Sequence, residues 1–88
     1  MERQRLKESF EKLRAEVDRL DPGDEAGKAR LDALLSDLER KLADPGDVEH
    51  HRTLTAHVKE AIDTLGVEYP GTTAILNHIM VTLSNMGI

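Results

Sequence analysis

The sequence predicts an all-α domain of three to four helices, and three observations carry that reading. Leucine-type residues recur at steps of three and four through most of the chain, which is the period of one helix face. Pro-Gly pairs at Pro22-Gly23, Pro45-Gly46 and Pro70-Gly71 punctuate it at intervals of about one helix plus a turn. The last twenty residues, Tyr69 to Ile88, contain no Asp, Glu, Lys or Arg, and within them Ile75, Leu76, Ile79, Met80, Leu83 and Met86 fall at helical spacing. This terminal helix is the densest apolar surface in the chain. The expected architecture is an antiparallel hairpin of the first two helices with the C-terminal helix packed along it, bundled as a dimer.

The first helix is expected over residues 2–20. Leu6, Phe10, Leu13, Val17 and Leu20 form a seam of little more than two heptads, too short for a free-standing coiled coil. Around it the charges alternate, with Lys7–Glu11, Glu8–Lys12, Lys12–Glu16 and Arg14–Asp18 each four apart. A solvated face explains them more simply than a basic docking patch around Arg3, Arg5 and Lys7.

Asp21-Pro22-Gly23-Asp24 follows and returns as Asp44-Pro45-Gly46-Asp47. Each reads as a helix start, with the first Asp as N-cap, Pro at the first helical position and the second Asp in the first turn. The flanking sequences do not match beyond this turn, so the repetition is a shared capping solution rather than an internal repeat. The second helix is expected over 25–43, with Leu31, Leu34, Leu35, Leu38 and Leu42 inward and Gly27 weakening its first turn. The third is expected over 47–65, with Leu54, Val58, Ile62 and Leu65 as its stripe and Val48 and Ala61 as lesser members. Gly66 is placed to stop it in the left-handed conformation. The bend from Val67 to Pro70 leads into the fourth helix, expected over 70–85.

Eighty-eight residues make a single domain, residues 1–88. Its core is lean, since there is one Phe, one Tyr and no Trp. A domain this small buries only roughly 60–65% of its unfolded surface, so a second chain covering leftover apolar area is a natural expectation. The absence of cysteine excludes disulfides and thiolate metal sites. The N-terminus is charged from Glu2 and lacks the apolar core of a signal peptide, and no run of ~18 apolar residues exists. A cytoplasmic protein is therefore expected. Its net charge of −5 argues against a nucleic-acid binder, which needs a basic surface to replace phosphate counterions.

The four histidines are the only candidates for a chemical site. His50 and His57 share one face of the third helix but lie seven residues apart, ~10 Å along the axis, too far to hold one ion without a bridging ligand. His51 lies to the side and His78 is on another helix. Ser9, Ser36 and Ser84 have no base in local context, and no Gly-rich phosphate loop is present. The expectation is no enzyme, no catalytic residue and no cofactor. The terminal helix is the more specific signal: behind its apolar stripe lie Asn77, His78, Val81, Thr82, Ser84 and Asn85, small or polar but uncharged, where a solvent-facing helix usually carries Lys and Glu. Either this helix is central in its own fold or its second face meets a partner chain.

The run from Pro70 through Thr73-Ala74-Ile75-Leu76-Asn77-His78-Ile79 to Leu83-Ser84-Asn85-Met86-Gly87-Ile88 resembles the ending of domain-of-unknown-function family 4404, whose members are short, mostly helical and acidic. Leu6, Leu13 and the face around Glu16 fit that family's opening, so the resemblance covers nearly the whole chain. It implies a bacterial setting and brings no activity, cofactor or catalytic residue.

These readings converge on a non-enzymatic interaction or structural module working through helix-face contacts. A homodimer is expected, with Ile75, Leu76, Ile79, Met80, Leu83 and Met86 at or beside its interface. The competing reading is a small-ligand or metal-binding regulator that uses His50 and His57 with nearby acids such as Glu49 and Glu60.

Overall fold

The computed structural model describes residues 2–20, 23, 25–66 and 68–86 and contains four α-helices. They are α1 (Glu2–Asp18), α2 (Glu25–Ala43), α3 (Val48–Leu65) and α4 (Pro70–Met86). Each helix packs on its neighbour in chain order, and α4 closes the ring against α1. Among the described residues neither diagonal pair, α1 with α3 or α2 with α4, makes a comparable approach. The hairpin of α1 and α2 is as expected, but α4 lies along α1 and α3 rather than along the whole hairpin.

Polar tethers fix the directions. Arg3 at the start of α1 donates from Nη2 to the Leu42 carbonyl at the end of α2, 2.9 Å away. This gives a donor to one of the carbonyls that a helix C-terminus leaves unpaired. Arg30 early in α2 meets Glu60 late in α3 at 3.0 Å. Both pairs require antiparallel neighbours.

The core is a set of short seams. Leu6, Leu13 and Val17 come from α1, Leu31, Leu34 and Leu38 from α2, Leu54, Val58, Ala61 and Leu65 from α3, and Leu76, Ile79 and Leu83 from α4. Phe10, Leu20, Leu35, Leu42 and Ile62 pack against this core but stay partly open. The third helix is thus turned slightly from the expected stripe. Small Ala61 occupies the close approach, Ile62 sits at the edge, and Val48 is 64% exposed. Thr82 also reaches the interior, which its hydroxyl tolerates by donating to the His78 carbonyl at 2.9 Å.

The helix ends depart from the sequence expectations for local reasons. α1 stops at Asp18 because the next two amides turn back three residues, Arg19 N to Glu16 O and Leu20 N to Val17 O. The N-cap of α3 is Asp47, not Asp44: Asp47 is extended (φ −74°, ψ 102°) and its carboxylate accepts from His50 N at 3.1 Å. Asp44, Pro45 and Gly46 form the turn before it. Asp21, Pro22 and Asp24, where the same capping solution is expected, lie outside the described residues. Gly66 is right-handed, not left-handed (φ −58°, ψ −30°), and its amide continues the ladder to the Ile62 carbonyl. A Cβ there would sit 2.8 Å from that carbonyl oxygen, so close approach is what requires glycine. α4 opens with Pro70 at its first position, where a missing N–H costs nothing. None of the four-apart pairs expected on α1 closes among the described residues; Arg5–Glu2 and Arg19–Glu16, three apart, form instead.

Candidate functional site

Two features stand out, one chemical and one a surface. The chemical one lies between the C-terminal half of α2 and the first half of α3. The α2 seam runs Leu31, Leu34, Leu38 and then Lys41, while the α3 seam begins at His50, four residues before Leu54. Lys41 and His50 thus occupy positions the fold treats as interior. Lys41 threads its stem through the packing and donates from Nζ to the Pro45 carbonyl at 2.8 Å. Burial lowers its pKa, against the opposing pull of Asp47 and Asp44.

The His50 side chain is only 4% exposed, and neither ring nitrogen has a hydrogen-bond partner. Asp37 of α2 reaches between the two histidines that share the α3 face. Its Oδ2 is 2.9 Å from His57 Nδ1, and its Oδ1 is 3.8 Å from His50 Nε2. The seven-residue gap is therefore spanned by a carboxylate from the neighbouring helix. His51, partly buried beside them, has its pKa lowered by burial and then by the charges of Lys41 and His50. Asp47 has its pKa lowered chiefly by the hydrogen bond from His50 N. Of the acids considered with the histidines, Glu49 is exposed and Glu60 is engaged by Arg30.

Among the described residues no three His, Asp or Glu side chains are arranged to hold a metal ion. The groove beside the cluster, about 850 Å³ and open to solvent, is floored by Ala29, Ala33 and Leu34 and rimmed by the Arg30–Glu60 and Asp37–His57 pairs.

The surface feature is α4. Leu76, Ile79 and Leu83 of the expected interface are fully buried within the chain, held by α1 and α3. Ile75, Met80 and Met86 are half-buried at the margins. The uncharged reverse face does point outward: Asn77, His78, Val81, Ser84 and Asn85 are all exposed, Val81 to 62%. Thr82 alone of that set has turned inward.

Asp37 and Lys41 are the participants that sequence reasoning missed. Lys41 was detectable as the next position of the Leu31, Leu34, Leu38 series; Asp37 had no signal, because its role depends on where α3 docks.

The chain is thus a four-helix domain of antiparallel, chain-ordered neighbours with a charge-free outer face on its last helix, and no helix of its described residues is long and apolar enough to cross a membrane. It belongs to the family described as a domain of unknown function, DUF4404, whose model matches residues 6–88. No curated protein and no solved structure matches it.

Proposed function

We propose that this protein is a non-enzymatic helical interaction module that works in the cytoplasm and associates with a second copy of itself through the outward side of α4. One observation carries the reading. In a chain that is one-third charged, a 17-residue helix seals its apolar seam inside the fold and presents an outer face with no charged side chain. Solvent contact alone does not select such a face; contact with another protein does, since charged residues are depleted at the centre of interfaces. The absence of charge also suits a two-fold contact, in which a patch of one sign meets its own copy.

The test is the mass of the chain in solution, by light scattering or sedimentation, from micromolar to submillimolar concentration. A reversible rise from 9.8 kDa towards twice that, with α4 gaining amide-exchange protection, is the expected result. A mass that stays at 9.8 kDa throughout removes self-association.

The second reading, a small-ligand- or metal-binding regulator at the His50/His57 face, draws on Asp37 reaching between the two rings, although among the described residues no three such side chains are arranged to hold a metal ion. Calorimetric titration with Zn²⁺ and Ni²⁺ decides it. Stoichiometric micromolar binding that disappears in His57→Ala would put this reading first.

A further inference from the structure

We propose that the groove between α1 and α4 receives a second copy of this chain, lying antiparallel across it on a two-fold axis. The proposal rests on the reading of the protein as a self-associating module and says which surface does it. The groove is open, about 300 Å³, with Arg5, Glu8 and Lys12 on its α1 side and His78, Val81 and Asn85 on its α4 side.

The occupant follows from charge. Positions 5, 8 and 12 share one face of α1 and read positive, negative, positive. A two-fold operation that reverses the helix direction slides this row past itself. Glu8 of each chain can then stand opposite Arg5 or Lys12 of the other, twice over. Glu8 and Lys12 are free for this, because among the described residues the α1 ion pairs are Arg5–Glu2 and Arg19–Glu16. On the α4 side the same operation lays a charge-free strip on its own copy.

No like charges are forced together, although each chain carries a net −5.

Size sets the strength. Two 17-residue helices are each about 25 Å long and lie about 10 Å apart, so together they offer on the order of 500 Å² per chain. About 1,000 Å² for the pair is the lower bound of a specific interface, which makes the dimer a weak and reversible one.

The test is a charge swap read by sedimentation. Glu8→Lys makes the row wholly positive, and Arg5→Glu combined with Lys12→Glu makes it wholly negative; all three positions are exposed, where substitution seldom disturbs folding. Each variant alone should dimerise at least about tenfold more weakly than the unaltered chain, and an equimolar mixture should recover a heterodimer. Variants that each dimerise like the unaltered chain, or a mixture that stays monomeric, overturn the surface while leaving self-association intact. An unaltered chain that never dimerises overturns both.

A second measurement is independent of those charges. The chain has no cysteine, so Val81→Cys introduces a single thiol beside the axis. It should give a disulfide-linked dimer under mild oxidation, while Ala33→Cys on the α2 groove should not. Equal cross-linking of the two overturns the placement.

Discussion

Replacing Leu76 with Ala tests the orientation of α4, and its cost can be worked out from the packing. Leu76 has no exposed surface. The substitution removes three carbons, worth about 2.4 kcal/mol of transfer free energy at about 0.8 kcal/mol per methylene. The space left behind costs about 24 cal/mol per Å³ to the extent that the neighbours fail to collapse into it. The closeness of α4 to both α1 and α3 limits that collapse, so a loss of about 3 kcal/mol is expected, within the usual range for a buried leucine. Over 88 residues the unfolding entropy near the midpoint is about 0.18 kcal/mol per kelvin, which converts the loss into a melting temperature lower by about 16 °C.

Met80 lies on the same helix but is half-buried at the margin. Met80→Ala should cost about 1 kcal/mol, or about 5 °C. Thermal and urea unfolding followed by far-ultraviolet circular dichroism, at one fixed protein concentration, reads both. The concentration must be fixed because association with a second chain adds to apparent stability. Equal losses, or a larger loss at Met80, would mean that α4 is rotated so that Ile75, Met80 and Met86 face the core, and the argument from Leu76, Ile79 and Leu83 would fail. By the same reasoning Ile79→Asp should unfold the chain rather than yield a folded monomer.

Acidification should weaken the fold in two stages. His51 has a lowered pKa, so the unfolded chain takes up its proton first; stability falls as pH drops below about 6.5 and levels off once the folded imidazole also titrates. Asp47 is lowered too, so the stability it supplies above about 3.8 is lost as pH falls further through its folded value. His51→Gln should flatten the first stage in a pH series of urea midpoints and leave the second. Asp47→Ala should lower the melting temperature and speed amide exchange at His50, whose N–H loses its acceptor. Two glycines should respond in opposite senses by thermal melting: Gly66→Ala should destabilise, because its Cβ would press on the Ile62 carbonyl oxygen. Gly46→Ala should stabilise by about 0.4–1 kcal/mol, because its φ is not positive and the nearest atom to its Cβ is an ordinary contact away.

The seams were legible in the sequence, and so was a count of three to four helices, because burial repeats with the period of the helix and leucine marks it. What could not be read were the ends of the seams. In α2 the buried series is Gly27, Leu31, Leu34, Leu38, Lys41; in α3 it opens with His50 and in α4 with Thr72. The register carries on after the apolar residues run out. A glycine, a lysine, a histidine and a threonine inherit interior positions by spacing alone. Hydrophobicity is silent there, so Leu42 took the place in the expectation that Lys41 holds in the fold. The capping error had a similar root: Asp44 and Asp47 both fit a cap, and only the extended backbone at Asp47 decides between them.

The candidate sites divide along the same line. The histidine cluster depends on Asp37, which reaches His57 and His50 from another helix, and no local pattern links position 37 to positions 50 and 57. The outer face of α4 needs no such meeting. Its lack of charge is a property of one continuous segment, visible before any fold is known, and the fold then adds the direction in which the face points. Packing explains Leu76, Ile79 and Leu83 completely, because α1 and α3 cover them. It does not account for Asn77, Val81, Ser84 and Asn85, which are exposed. A choice that the fold does not require is the one the proposed self-association would account for, and it lies beside the alternating charges of Arg5, Glu8 and Lys12.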